Sequence, residues 1–323
     1  MIFAESGISV SGGLGFVGVN LVKLLGEHNS NLRVLDNLSR SSPTGRDSGS
    51  SVKIYRCDVL DRTCLSSGLL DADKVVHLAA YGSVIESISD PAANFSVNVQ
   101  GTLNVLQASV EAGVRKFIFA STGGALIGDA IPPVNELSLP RPISPYGASK
   151  LCGEAYCHAF AKSYDINTVC LRFGNVYGPH SAHKKGAVTV FIKALMTDEP
   201  IVIYGDGSAS RDYIHVDDLC SGIALALDAD ISGGEVFHLA SGRETSILQL
   251  AKMLREIAGK PNHPIEFRPA RQGEVARNFA SYEKAARVLG FRPSVDLREG
   301  LKSTWDWFVR NQEVVLSTGT SDS

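Results

Sequence analysis

Apolar positions in the first half of the chain form short continuous runs, separated by longer stretches in which they recur every three or four residues. The runs at residues 8–10, 32–35, 52–55, 74–78, 116–120 and 168–172 predict strands, and the stretches Phe16–Gly26, 91–112 and 145–164 predict helices. Short apolar strands alternating with amphipathic helices are the pattern of repeated β-α-β units, which build a parallel sheet covered on both faces. Pro91 and Pro145 fall at the start of their helices, where a missing N–H is tolerated. The expected fold class is α/β, a doubly wound parallel sheet.

Beyond residue 175 the spacing becomes less regular. A Gly- and His-containing loop precedes an apolar helix at Ala187–Met196, a strand at Ile201–Tyr204 and a Gly-Asp-Gly turn. A strand and helix over 213–227 and a strand at 236–240 are expected to return to the main sheet; 248–258 and 297–309 read as further helices. The expected organisation is a dinucleotide domain over 1–175 with returning segments near 212–240, and a smaller interleaved α/β substrate lobe over 176–316. The small, polar tail 317–323 is expected to fray.

Composition narrows the function. The 323 residues are 44% hydrophobic and 20% charged, and 31 Lys and Arg nearly balance 34 Asp and Glu, giving a net charge of −3. That balance leaves no electrostatic footprint for nucleic acid. No apolar run approaches the ~20 residues that span a bilayer, and MIFAESGISV lacks the basic start and long apolar core of a signal peptide, so no membrane partner and a cytoplasmic location are expected. The six cysteines (Cys57, Cys64, Cys152, Cys157, Cys170, Cys220) carry no CxxC or His-paired metal spacing. Buried free thiols and no metal are therefore expected.

The run Val10-Ser-Gly12-Gly13-Leu-Gly15-Phe-Val-Gly18 follows an apolar strand and opens an amphipathic helix. Such a loop lets backbone approach a pyrophosphate, whose charge the helix N-terminus stabilises. The next strand ends in Asp36, placed to accept hydrogen bonds from the adenosine ribose hydroxyls and to repel a 2′-phosphate, which favours NAD over NADP; Arg40 nearby works the other way. Together these features make the sheet Rossmann-type. Asp58, in Cys57-Asp58-Val59, is placed to accept from the adenine amino group, and the small residues of His77-Leu78-Ala79-Ala80 let a ligand approach the fourth strand. His77 reads as a satisfied core histidine. Tyr146 and Lys150 are one helical turn apart, so the ammonium can lie beside the phenol and favour its ionised form. Moving a phenol from pH ~10 to about 7 takes roughly 4 kcal/mol, which the lysine and a positively charged nicotinamide would share.

In order along the chain, GGLGFVG (12–18), LDNLSR (35–40), CDVLD (57–61), HLAA (77–80), NVQGTLNVL (98–106), FIFASTGG (117–124), SPYGASK (144–150), LRFGNVYGP (171–179), YGDGSASRDYIHVDDL (204–219) and RQGEVARNFAS (271–281) resemble the extended short-chain dehydrogenase/reductase family, in its NAD-dependent nucleotide-sugar epimerase and dehydratase branch. The resemblance implies that Tyr146 is the catalytic base and acid. It gives Lys150 the nicotinamide ribose and the tuning of the tyrosine, and offers Ser121 and Thr122 as candidates for the triad hydroxyl, with Thr122 preferred. It places Gly12, Gly15, Phe16, Val17, Asp36, Asn37, Ser39, Arg40, Asp58, Val59, Leu78, Ala79, Ala80, Asn98, Tyr146, Lys150 and Phe173 at NAD. A UDP-sugar would meet Val84, Thr122, Tyr146, Asn175, Val188, Tyr204, Arg211, Arg271, Glu274 and Asn278. Arg211 and Arg271 would grip the diphosphate, Glu274 the nucleotide's ribose, and the Val188 backbone the uracil.

The implied reaction is epimerisation at C4 through a transient 4-keto sugar. Dehydration is disfavoured because Gly123-Gly124, not an Asp-Glu pair, follows Thr122. A decarboxylase or a 4-keto reductase stays open, as does a catalytically silent NAD-sensing regulator, against which the Tyr146–Lys150 pair speaks. Several features depart from the family. Ser11 replaces a Thr, no Tyr precedes Gly128, Tyr81-Gly82-Ser83-Val84 is not a standard galactose-epimerase sequence, and Asn278 stands at a position where a bulky Tyr restricts the sugar pocket. Asn278 leaves glucose/galactose, hexosamine and glucuronate types all open. The basic loop over 179–185 is either solvated or a contact for an acidic sugar. Family members pair through helices corresponding to 91–112 and 145–164, so a homodimer is expected.

Overall fold

The computed structural model describes residues 6–41, 52–270 and 275–317; Arg271, Glu274 and the expected frayed tail past Ser317 lie outside the described residues. The chain opens with β1 (Ile8–Ser11), α1 (Phe16–Gly26), β2 (Leu32–Asp36), β3 (Lys53–Arg56), α2 (Arg62–Gly68) and β4 (Lys74–His77). There follow α3 (Val84–Ser89), α4 (Pro91–Phe95), a π turn over Ser96–Gln100, α5 (Gly101–Glu111), β5 (Lys116–Thr122), α6 (Gly124–Ile127), α7 (Pro145–Ser163) and β6 (Asn167–Phe173). The remainder comprises β7 (Asn175–Tyr177), α8 (Ala187–Met196), β8 (Ile201–Tyr204), β9 (Ser210–Arg211), β10 (Tyr213–His215), α9 (Val216–Asp228) and β11 (Glu235–Leu239). Last come β12 (Thr245–Ser246), α10 (Ile247–Ile257), β13 (Ile265–Arg268), α11 (Glu283–Leu289), α12 (Leu297–Arg310) and α13 (Gln312–Ser317).

The expected parallel sheet is present, with strand order β11-β6-β5-β4-β1-β2-β3. β1 and β2 are buried along their whole length, as strands covered on both faces must be, whereas the edge strand β3 is largely exposed. One apolar layer joins the sheet to α1, α9 and α11 through Leu21, Leu25, Ile223, Leu227 and Leu289. The opposite layer joins it to α2, α5 and α7 through Leu65, Leu106, Phe117, Phe119 and Phe160. Each fully buried Phe or Leu contributes about 1.5–3 kcal/mol from area removed from water. A separate core gathers α8, α10 and α12 around Phe191, Ile192, Leu254 and Phe308. Strand order reverses between β4 and β1, the switch point at which an open α/β sheet forms its ligand crevice.

Three expectations need correction. The helix expected over 91–112 is two helices, α4 and α5, separated by the π turn. That wider turn turns Asn98 inward, fully buried, towards Tyr81 and Ser149. β11 joins the main sheet beside β6, but β10 does not: it pairs with β7 in a separate two-stranded ladder, and only its following helix α9 covers the sheet. Finally, Cys57 and Cys64 are joined by a disulfide rather than being free thiols. Asp61 caps α2 by accepting from Thr63 and Cys64 N–H, which folds the chain back until the two Cα atoms lie 5.5 Å apart. Cys157, Cys170 and Cys220 are buried thiols and Cys152 a half-buried one. Among the described residues no helix is long and apolar enough to cross a membrane, and no His, Cys, Asp or Glu group could hold a metal ion.

Candidate active site

The crevice opens where β1, β2, β4 and β5 end. At Gly12 the backbone is left-handed (φ +68°), and a Cβ there would stand 2.6 Å from Ala79 N, so only glycine lets the loop after β1 lie against the end of β4. Gly15 caps α1 without a side chain, which leaves the first N–H groups of that helix for an anion. This cradle fits a dinucleotide pyrophosphate, and Phe16 and Val17 begin the helix behind it.

Asp36 has a second task that the sequence did not announce. It is buried; its Oδ2 accepts from Leu14 N (3.0 Å) and its Oδ1 from Leu38 N (2.9 Å) and Ser41 Oγ (3.1 Å), so it ties the glycine loop to the turn after β2. A carboxylate has about four acceptor positions, which leaves one for a ribose hydroxyl. Asn37 donates to Asp58 Oδ2 (2.8 Å) and accepts from the Ser39 hydroxyl (2.6 Å), and Asp58 Oδ1 caps Leu60 N–H. Val59 is buried beside Gly101, and its carbonyl accepts from Asn104. The disulfide of Cys57 and Cys64 closes the loop that carries Asp58 and Val59.

Arg40, expected at the cofactor, has its guanidinium 4.0 Å from the Tyr81 ring centroid and 2.8 Å from Glu86. Leu78, Ala79 and Ala80 are half-buried at the end of β4, and Val84 starts α3.

α7 carries the candidate reactive pair. Ser144 caps it by accepting from Gly147 N–H, and Pro145 holds the first turn. A Cβ on Gly147 would lie 2.0 Å from Ala125 O, so glycine sets how closely α7 packs on α6. Tyr146 is half-buried at the base of the crevice, and burial pushes its phenol up to about 12. Lys150 is buried with its ammonium 4.8 Å from the Phe119 ring centroid, and burial pushes it down to about 8. Lys150 thus does not by itself bring the phenol towards neutrality.

The two candidate hydroxyls differ. Ser121 is buried and donates to Glu154 Oε1 (2.6 Å), while Glu154 also receives Arg172 Nε (2.9 Å) and Nη2 (2.7 Å). Thr122, one residue on, is half-buried at the end of β5 and makes no side-chain hydrogen bond to the described residues; it pairs in register with Phe173.

A polar chain missed by sequence reasoning ties the glycine loop to α7. Ser11 Oγ meets His77 Nδ1 (2.6 Å), His77 Nε2 meets Thr102 Oγ1 (3.0 Å), and Thr102 donates to Asn98 O (2.6 Å). Asn98 donates to Ser149 Oγ (3.0 Å), which donates to the carbonyl of Tyr146 (2.8 Å). Ser87 accepts from Tyr146 N–H (3.1 Å). Burial, followed by the Lys150 charge, lowers His77 to about 3, so it stays neutral in this chain of bonds. The one available signal for Ser149 was its place between Tyr146 and Lys150.

Of the candidates for the sugar nucleotide, Asn175 is exposed at the start of β7, Val188 is buried in α8 and Tyr204 is half-buried at the end of β8. Arg211 Nη1 is held by the carbonyls of Ser210 (2.8 Å) and Val275 (2.7 Å), and its other donors make no hydrogen bond to the described residues. Asn278 lies beside the glycines that follow Thr122. It is buried against Gly124, whose Cβ would lie 3.2 Å from its Nδ2, and that Nδ2 has no partner.

Residues 8–240 match the NAD dependent epimerase/dehydratase family. The chain belongs to that family. The putative UDP-glucose 4-epimerase of Methanocaldococcus jannaschii is 33% identical over 310 residues, covering 94% of this chain and 99% of the relative. The UDP-glucose 4-epimerase of Thermotoga maritima with UDP-glucose superimposes with a TM-score of 0.89 at 37% identity, over 94% of this chain and 99% of the other. The UDP-glucuronic acid 4-epimerase of Bacillus cereus, in complex with UDP-glucuronic acid and NAD, gives 0.87 at 32%, over 94% and 99%. The match to the family's solved structures extends well past the sheet, into the segment that forms the second core.

Proposed function

We propose that the protein is an NAD-dependent UDP-sugar 4-epimerase in which Tyr146 takes the proton of the sugar C4 hydroxyl and later returns it. The observation that carries this reading is the position of Tyr146 and Lys150 one turn apart on α7, tied by hydrogen bonds through Ser149, Asn98, Thr102 and His77 to Ser11 at the glycine cradle that fits a dinucleotide. Bound NAD would supply a reversible hydride acceptor for C4 and, in its oxidised form, positive charge that favours the phenolate. Lys150, which rests on the Phe119 ring and makes no hydrogen bond to the described residues, orients the nicotinamide ribose. Thr122 holds the C4 oxygen, whereas Ser121 acts as part of the Glu154–Arg172 scaffold. Arg211 with Arg271, and Glu274, serve the diphosphate and nucleotide ribose. Holding hydroxyl, base and hydride acceptor in line supplies much of the rate.

A dehydratase reading has less support. Gly123 and Gly124 follow Thr122, and the groups packed on them are the His238 ring and the Asn278 amide, neither of which is a carboxylate. Relatives are named as 4-epimerases of UDP-glucose, UDP-N-acetylglucosamine and UDP-glucuronate, and all three substrate types stay in the proposal. A homodimer through α4, α5 and α7 is supported by Phe95 (59%) and Tyr156 (38%), whose side chains are exposed in the single chain. Replacing Tyr146 with Phe tests the catalytic assignment: turnover should fall about 10²–10⁴-fold with UDP-sugar affinity within about threefold. Near-normal turnover would remove Tyr146 from its role.

A further inference from the structure

The loop between β7 and α8 brings a cation to the crevice that none of the motif residues accounts for. Its stem is fixed: Asn20 of α1 donates to Pro179 O (3.1 Å), Ser181 donates to Gly178 O (2.7 Å), and Lys184 N–H donates to Ser181 O (2.8 Å). The Lys184 ammonium then stands 3.8 Å from where a Cβ on Gly82 would be, over the segment that runs on from β4. It makes no hydrogen bond or ion pair with the described residues.

The surrounding charge is unbalanced. Glu86 is the acid nearby, and Arg40 (2.8 Å) and Lys185 (3.2 Å) already occupy its two oxygens. His183 is kept neutral, pushed down to about 4 by burial and then by Lys184, Lys193 and Arg40. Lys184 is solvent-exposed; desolvation, with the Arg40 charge, lowers its affinity for a proton, and the Glu86 charge works the other way. Three cations, Arg40, Lys184 and Lys185, thus gather around the one carboxylate of Glu86, which leaves positive charge here to offer an anion.

Position selects which anion. Gly82 is three residues past Ala79, whose N–H contacts the Gly12 cradle, a reach of at most ~11 Å at ~3.6 Å per residue. Tyr81, the neighbour of Gly82, stacks under Arg40 on the adenosine side, while α3 beyond it holds Tyr146 through Ser87. Gly82 therefore lies between the adenosine end and the reactive end, where a dinucleotide carries its phosphates.

We propose that Lys184 is a cofactor-binding residue that reaches over Gly82 to hold a phosphate oxygen of the bound dinucleotide's pyrophosphate, closing the glycine cradle from the opposite side. The proposal rests on NAD binding in the crevice.

The test is calorimetric titration of the full-length protein, freed of dinucleotide, with NAD, adenosine, UDP and UDP-glucuronic acid. Wild type must bind NAD; if it does not, the proposal and the reading beneath it both fall. Lys184→Ala should weaken NAD about tenfold or more, with adenosine and UDP within about twofold, because one charge-assisted contact is lost. Lys184→Arg should recover most of the loss, and Lys185→Ala, an equal change of net charge, should leave NAD within about twofold. The NAD deficit should shrink as salt is raised. Equal weakening of NAD and adenosine would mean a structural role, weakening confined to UDP or UDP-glucuronic acid would move the contact to the sugar nucleotide, and no change in any titration would end the proposal.

Discussion

The two ends of the crevice are built on opposite terms. At the adenosine end nearly every polar atom is already engaged: Asp36 holds the glycine loop, Asn37 holds Asp58 and Ser39, and a disulfide closes the loop behind them. At the proposed reactive end the Tyr146 phenol, the Lys150 ammonium and the Thr122 hydroxyl make no hydrogen bond or ion pair with the described residues, while their neighbours are bonded repeatedly. Stability and reactivity are thus assigned to different residues of the same segment. Within α7, Glu154 and Ser149 carry structure, and Tyr146 and Lys150 carry cost.

Breaking the scaffold should have the largest effect. Glu154→Ala leaves the Arg172 guanidinium buried without its carboxylate and should destabilise the fold by about 3–5 kcal/mol in denaturant unfolding. A loss under ~1 kcal/mol would mean that the buried pair is not structural. Lys150→Met should act in the opposite direction. An ammonium lowered from its usual 10.5 to about 8 is destabilising at neutral pH by about 3 kcal/mol, so its removal should raise the stability of the dinucleotide-free protein while ending turnover. The sign can be checked on wild type: the unfolded chain binds this proton more tightly, so stability should rise between pH 8 and 10.5 by this group's contribution.

The contrast also decides what could be read from the sequence. α1 was legible in full, because a glycine cradle and an apolar stripe bound it on either side, and α7 because Ser144-Pro145 marks its start. The single helix expected over 91–112 failed at the π turn, since one extra residue in a turn leaves no mark on hydrophobic spacing. Ser121 and Thr122 could not be separated by type. Only the side of β5 on which Glu154 and Arg172 lie distinguishes them. The Cys57–Cys64 bond stayed hidden because the cap at Asp61, not a cysteine motif, brings the two residues together. Lys184 was hidden among the charges of a loop that reads as solvated.

Smaller effects sharpen the adenosine end. Reducing the disulfide should destabilise the protein by about 2 kcal/mol from the entropy of so short a loop, seen as a lower Tm with reductant and absent in a Cys57→Ser, Cys64→Ser double variant. An unchanged Tm would mean that this end is held by hydrogen bonds alone. Acid should loosen both ends together. His77 and His238 are each lowered from 6.5 to about 3 chiefly by burial, so their neutral forms stabilise the fold above pH 6.5. That contribution is lost as pH falls towards 3, at about 1.4 kcal/mol per unit for each. A His77→Gln variant should show a shallower decline, measured by denaturant unfolding at stepped pH.

The central claim is that the unpaired phenol and ammonium of α7 serve reversible oxidation at C4 with nothing lost from the sugar. The most direct measurement incubates the purified protein, without added NAD, with UDP-glucose, UDP-N-acetylglucosamine and UDP-glucuronic acid in D2O and follows each sugar by NMR. Inversion at C4 of at least one of them, with no deuterium entering the ring, is the predicted result. Deuterium at C5, release of CO2, or no change in any sugar would contradict it.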